Sequence, residues 1–336
     1  MKRVGFLGVG WIGRHRMAAM LDTGLVEAVA ISDPSPEMAA EAAKLAPGAA
    51  VVDGLDAMLA LGLDGVVIAT PSALHADQSI QALDAGVAVF CQKPLGRDAD
   101  EAARVVAAAR EADRLLGVDF SYRHTAAMQA IAPLVREGAL GRIQAIDLTF
   151  HNAYGPDKPW FYDRAQSGGG CVMDLGVHLV DLALWALDFA ETKGAVRAHL
   201  FAGGAALADR PDAVEDLAFA DFTLATGTAV RLACSWRLHA GKEAEIGAVF
   251  YGTQGAARLG NIGGSFYDFA AERMTGTTSE TLVSPPDAWG GRAAAAWAER
   301  LAASPAFDPA ADRLVDVARV LDAIYAAGGA GVGERE

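Results

Sequence analysis

Cysteine is scarce and badly placed for cross-linking: Cys91, Cys171 and Cys234 are the only three in 336 residues, odd in number and far apart. A disulfide framework and a cysteine-ligated metal site are therefore both disfavoured, and a reducing cytoplasm is the expected compartment. Positive charge is short as well. With 28 Lys and Arg against 42 Asp and Glu the formal charge is −14, and no local basic patch offsets it. Such a chain repels phosphate backbones and anionic lipid, so neither nucleic acid nor a membrane is an expected partner. A long uninterrupted apolar run is also missing. The oiliest segment, VHLVDLALWALDFA, is broken by Asp181 and Asp188 and falls short of the ~18 apolar residues that suggest a membrane span. The start, MKRVGFLGVGWIG, imitates a secretory signal, but glycines punctuate it and Arg14, His15 and Arg16 end it. It reads as a first strand instead.

What is present is a large apolar content, 52%, enough at this length for two domains. The first third alternates short β-branched runs (RVGFLGVG, VEAVAISD, AAVVD, DGVVIAT, VAVFCQKP, LLGVDFSYR) with alanine-rich helical stretches. That rhythm predicts a doubly wound parallel sheet. From about Gly141 longer strand candidates follow one another: RIQAIDLTFH, AVRAHLFAG, DLAFADFTL joined through ATGT to AVRLACSWRLH, EIGAVFYG and ARLGN. These predict an α+β domain with a large, mostly antiparallel open sheet. The expected boundary is Arg123, giving domains 1–123 and 124–336, the last ending in the helix RLVDVARVLDAIYAA and a loose GGAGVGERE tail.

Gly8-Val9-Gly10-Trp11-Ile12-Gly13 follows the strand RVGFL and opens a helix. In that context the first glycine makes a tight turn, the second admits a pyrophosphate to the backbone, and the third lets helix and strand pack closely. Trp11 and Ile12 lie at the helix N-terminus, whose N–H groups and dipole favour an anion. Twenty residues after Gly13 the second strand ends in Asp33, placed to accept hydrogen bonds from both ribose hydroxyls. This is the pattern of a Rossmann dinucleotide fold, and the carboxylate favours NAD over NADP, since Pro34, Ser35 and Pro36 offer no arginine for a 2′-phosphate. Two further strand ends carry Thr70-Pro71 with His75 a turn later, and Gln92-Lys93-Pro94. Ligands of open α/β sheets bind at such carboxyl ends.

In order and at these separations the motifs GVGWIG, AISD, ATPSALH, CQKP, FSYR and SGGGCVMDLGVHLVDLALW resemble those of the Gfo/Idh/MocA oxidoreductases over nearly the whole chain. The resemblance implies a nucleotide-binding domain followed by an α/β domain whose open sheet commonly builds homodimers or homotetramers. It implies reversible hydride transfer between nicotinamide and a secondary alcohol or hemiacetal carbon of a sugar, cyclitol or related polyol. It also maps the reaction centre onto Lys93, Asp174 and His178. The cofactor contacts expected from the glycine turn and the strand ends are Gly8, Gly10, Trp11, Ile12, Gly13, Asp33, Thr70, Pro71, His75, Gln92 and Lys93. Gln92 stands where the family usually has glutamate, which removes a negative charge beside Lys93.

Oxidising an alcohol needs a base, and an imidazole such as His178 titrates near working pH. Asp174, one helical turn back, is expected to fix the imidazole tautomer or bind substrate, and Lys93 to hold the developing alkoxide. Arg123, His151, Asn152, Tyr154 and Trp160 are the further substrate-binding candidates, polar and aromatic groups suited to a sugar. Gly168, Gly169 and Gly170 are expected to let backbone approach the ligands. Asp174, His178 and Asp181 at offsets of zero, four and seven also suit a divalent ion, but no fourth ligand is apparent, so no metal is expected. A silent NAD-binding sensor or scaffold, and a sugar–sugar oxidoreductase that never releases its cofactor, are the alternatives to a dehydrogenase.

Overall fold

The computed structural model describes residues 1–329; the final residues of the expected tail lie outside them. The described residues form two compact units, Met1–Ser121 with Gly290–Val315, and Tyr122–Trp289 with residues 316–329.

In the first unit the elements run β1 (Lys2–Leu7), α1 (Trp11–Leu21), β2 (Val26–Ser32), α2 (Pro36–Ala43), β3 (Ala50–Val51), α3 (Gly54–Leu59), β4 (Gly65–Ile68), α4 (Ser72–Asp84), β5 (Ala88–Cys91), α5 (Ala99–Glu111) and β6 (Leu116–Val118). The six strands are parallel in the order β3-β2-β1-β4-β5-β6. Strands β4 and β5 read GVVI and AVFC and are buried throughout, as strands covered on both faces must be. Side-chain caps start two of these helices: Ser35 accepts from Met38 N–H ahead of α2, and Asp98 from Glu101 N–H ahead of α5, each satisfying an otherwise orphaned donor.

The second unit holds α6 (Ala126–Arg136), β7 (Ile143–Asn152), α7 (Arg164–Ser167), a π-helical turn over Val172–Gly176, α8 (Val177–Ala186), β8 (Thr192–Ala202), β9 (Ala205–Ala206), β10 (Leu217–Leu224), β11 (Ala229–Ser235), β12 (Ala244–Gly252), β13 (Ala256–Asn261), β14 (Phe269–Thr275) and β15 (Thr278–Val283). Its nine strands are ordered β15-β14-β13-β12-β7-β11-β10-β8-β9, antiparallel except for β7 with β11. The hairpin β14–β15 extends the sheet beyond the last strand candidate read from the sequence. Along β7, Ile146, Leu148 and Phe150 are buried while Ala145, Asp147 and Thr149 are only half-buried, the two-residue alternation of a sheet with one packed face. Against the sequence expectation, Arg164–Ala186 is long and apolar enough by composition to cross a membrane, yet its most apolar window is almost wholly buried in this unit.

The expected split at Arg123 is corrected in one respect. Residues 290–315, assigned from the sequence to the second domain, pack with the first unit. Helix α9 (Arg292–Ala303) places Ala293, Ala294, Trp297, Ala298 and Leu301 in the core formed with β1, β4 and β5. Glycine makes room for it: a Cβ on Gly65 or Gly117 would come within 2.7 or 2.6 Å of the Trp297 ring. The last helix, α10 (Leu314–Ala327), carries most of its length in the second unit.

Candidate functional site

The nucleotide cradle lies between β1 and α1. Gly8 has φ +80°, and a Cβ there would stand 2.5 Å from the Ala69 carbonyl oxygen. A Cβ on Gly13 would stand 2.0 Å from the Gly8 carbonyl oxygen, so strand end and helix start are in direct backbone contact. At Gly10 a Cβ would meet nothing within 4 Å. The first and third glycines thus answer to packing inside the protein, and the second borders open space. Gly10 caps α1 without a side-chain hydrogen bond. Trp11 is exposed, its ring 6.0 Å from that of His15, and Ile12 is half-buried. Asp33 accepts from Val9 N–H at 2.8 Å and from Ser35 N–H at 2.9 Å. Its carboxylate is fixed beside the cradle, with acceptor capacity left over.

Two neighbouring strand ends are tied together by His75. Its Nδ1 lies 2.6 Å from the Pro94 carbonyl oxygen and its Nε2 2.7 Å from that of Thr70. Burial lowers the imidazole pKa, and the two carbonyls oppose this only in part. Thr70 Oγ1 donates to Gln78 Oε1 at 2.7 Å, and Pro71 precedes the first turn of α4. Lys93 is half-buried at the end of β5, after Gln92 and before a cis Pro94. Gln92 Nε2 donates at 2.7 Å to Asp119 Oδ2, which also accepts from Arg16 Nε at 2.6 Å. The expected loss of negative charge at Gln92 is therefore met by a buried carboxylate from the end of β6. Neither Arg16 nor Asp119 was a site candidate from the sequence, although Asp119 follows a parallel strand, the kind of position that flags Lys93.

In the second unit, Asp174 and His178 belong to one helical run, but the intervening turn is π-helical, so their offset of four is not the one α-helical turn expected. Such turns recur at functional sites. Asp174 accepts from the Trp236 indole N–H at 3.1 Å. His178 is buried against Tyr122 and Phe150, with ring centroids 4.8 and 6.4 Å away.

The three glycines ahead of this helix are set by packing inside the unit, which replaces the reading that they let backbone approach ligands. Gly168 closes α7 in the left-handed region at φ +85°. A Cβ on Gly169 would stand 1.9 Å from the Tyr325 hydroxyl, and one on Gly170 1.9 Å from the Glu215 carbonyl oxygen. Buried Glu215 accepts from Gly170 N–H and Val172 N–H at 2.9 Å and from Tyr325 O–H at 2.8 Å. Burial pushes its carboxyl above the ordinary range, with those donors opposing. Glu215 had no signal in the sequence, because its partners lie 43 to 110 residues away.

Of the other substrate candidates, Arg123 donates through Nε at 2.8 Å and through Nη2 to buried Asp181, and its guanidinium lies over Trp185 and Phe189. Burial raises the Asp181 carboxyl pKa, and Arg123 partly reverses this. A guanidinium so engaged orders the helix, with donor capacity left over. His151 Nδ1 is 2.8 Å from Ser235 Oγ, and burial lowers its pKa. Asn152 Oδ1 is buried without a hydrogen-bond partner among the described residues. Tyr154 is exposed near Phe266, and Trp160 stacks on Phe161 at 3.8 Å. His151 and Asn152 end β7, and Tyr154 and Trp160 lie in the loop beyond it. Among the described residues no three acidic, histidine or cysteine side chains are grouped to hold a metal ion.

Residues 2–120 match the model of an oxidoreductase family with an NAD-binding Rossmann fold, and residues 128–258 match the GFO/IDH/MocA C-terminal domain. Over 259 residues the chain is 29% identical to a 1,5-anhydro-D-fructose reductase of Ensifer adhaerens, spanning 76% of this chain and 75% of that one. Over 323 residues it is 29% identical to an inositol 2-dehydrogenase of Rhodococcus erythropolis, spanning 88% and 90%. The fold is similar to that of a levoglucosan dehydrogenase solved with NADH and levoglucosan, with a TM-score of 0.82, 21% identity and 97% of both chains covered.

Proposed function

The chain belongs to the Gfo/Idh/MocA oxidoreductase family, and from that membership we propose that it is a cytoplasmic NAD-dependent dehydrogenase acting on a secondary alcohol or hemiacetal carbon of a sugar, cyclitol or related polyol. The observation that carries the reading is the cradle, where Gly8 and Gly13 are closed by protein atoms and Gly10 faces open space beside the fixed Asp33 carboxylate. Gly8, Gly10 and Gly13 with the start of α1 would hold the pyrophosphate, and Asp33 the adenosine ribose. Asp33 also favours NAD, because a 2′-phosphate would meet its negative charge. Bound nicotinamide supplies the hydride acceptor, or the donor in the reverse direction.

The protein's own side chains handle the proton. His178 takes the hydroxyl proton, and its burial against Tyr122 and Phe150 restricts the ring to few orientations. Lys93 stabilises negative charge on the substrate oxygen. Asp174, oriented by the Trp236 N–H, accepts a substrate hydroxyl. His151, Asn152, Tyr154 and Trp160 supply the polar edges and aromatic faces that bind a polyol. The same reading makes the protein a homodimer or homotetramer joined through its larger sheet.

Incubation with NAD and a panel of sugars and cyclitols, following absorbance of the reduced cofactor, tests the activity. Lys93→Ala and His178→Ala are each expected to cut turnover by at least ~10²-fold with NAD affinity nearly intact. Full turnover in either variant would remove that residue from the mechanism.

A further inference from the structure

Asp119 is 1% exposed, yet nothing in the reaction as described uses it. Its backbone N–H donates to the Cys91 carbonyl at 3.0 Å, which locks it beside the end of β5. Its Oδ2 collects the Arg16 guanidinium from α1 and the Gln92 amide from the lysine loop, while Oδ1 is buried without a hydrogen-bond partner among the described residues. A carboxylate kept only to staple two elements would satisfy both oxygens, since an unsatisfied buried acceptor costs free energy. The amide at 92 is matched to this arrangement. A second carboxylate there would stand within hydrogen-bond distance of the first, with one guanidinium between them, and like charges so close cannot both ionise cheaply.

We propose that Asp119 supplies the carboxylate of the lysine loop and acts, with Gln92 and Arg16, as a positioning set that directs Lys93 and couples it to the nucleotide-binding helix. Positions 92 and 119 then form one exchangeable amide–carboxylate pair. In the double variant Gln92→Glu/Asp119→Asn the amide oxygen now at position 119 accepts from Arg16, and the amide N–H there donates to the carboxylate now at position 92. The bond between positions 92 and 119 then runs in the opposite sense, while Arg16 remains the donor. The proposal rests on the catalytic reading of Lys93.

The test compares the native protein, Gln92→Glu, Asp119→Asn and the double variant by two readouts. One is kcat, with KM for NAD and for the polyol that the native protein oxidises, from pH 6 to 9. The other is the rate at which dilute acetic anhydride acetylates Lys93, followed by mass spectrometry, which needs no substrate. Asp119→Asn is expected to lower kcat at least tenfold with KM for NAD within threefold, and to change Lys93 acetylation at least threefold. Gln92→Glu is expected to come closest to native activity at the acidic end, where one of the two carboxyls is protonated and can donate as the amide does. The double variant should return to within threefold of the native protein in both readouts and lose that acidic bias.

A double variant as impaired as the product of the two singles overturns the proposal, as do single variants indistinguishable from the native protein. If a single variant fails to fold, a folded and active double supports the pair and an unfolded double overturns it. A native protein that oxidises no polyol sinks the proposed function, and the acetylation series then decides the positioning set by itself.

Discussion

Glycines that look alike in the sequence do different work, and a single added methyl separates them. At Gly170 a Cβ would strike the Glu215 backbone at 1.9 Å, and neither partner is a flexible side-chain end. Gly170→Ala is expected to cost at least about 2 kcal/mol of stability, read as a lowered denaturant midpoint. Gly10→Ala adds its methyl to open space, so stability should stay within about 1 kcal/mol while NAD affinity drops at least tenfold in a fluorescence titration. A Gly10→Ala protein that binds NAD normally would count against the cradle. Local pattern pointed to Gly8, Gly10 and Gly13 because spacing along one strand–turn–helix fixes their relations, and to Asp33 and the Lys93 loop because each follows the end of a parallel strand. Arg16 and Asp119 were not legible as a pair, since they meet across 103 residues. Gln92 looked like a lost charge for the same reason: its compensating carboxylate belongs to another strand.

At the scale of elements, the alternation of strands and helices was readable because each parallel strand needs a crossover, and the hairpin rhythm after Gly141 because antiparallel strands do not. The π-helical turn before α8 was not, since apolar spacing cannot report one extra residue in a turn. Nor was the destination of α9. Its sequence RAAAAWAERLAA shows an apolar face but not which sheet that face covers, and the complementary signal, Gly65 and Gly117 beneath Trp297, lies some 180 to 230 residues earlier in the chain. Trp297 fills the space that those glycines open. Trp297→Ala should therefore cost about 3–5 kcal/mol, measured by chemical denaturation, and a change under about 1 kcal/mol would mean that α9 contributes little to the first unit.

Across the whole molecule the larger sheet presents two contrasting rows. One reads Phe219, Ala233, Thr149, Gly247, Gly260 and Ala270 on successive strands, mostly small side chains. The next reads Arg197, Asp221, Arg231, Asp147, Val249, Arg258 and Glu272, with ion pairs Arg197–Asp221, Arg231–Asp147 and Arg258–Glu272. Alternating charge on a flat ground of small residues can match a second copy of itself turned by half a rotation. Sedimentation should therefore give a multiple of the 34.8 kDa chain mass, and replacing the exposed Phe219 and Tyr251 by glutamate should yield a single-chain species. Sedimentation of the native protein as a monomer would dismiss assembly through this sheet.

The return of α9 to the first unit also bears on how such a protein can be rearranged. The nucleotide-binding unit is written in two separated stretches of the chain, with the bulk of the other unit between them. A gene truncated after Arg123 would encode all six parallel strands but leave bare the apolar surface that Trp297 and Leu301 cover. One crossover is then not enough to give this unit a new partner. A recombinant that keeps its core must carry over residues 290–315 as well.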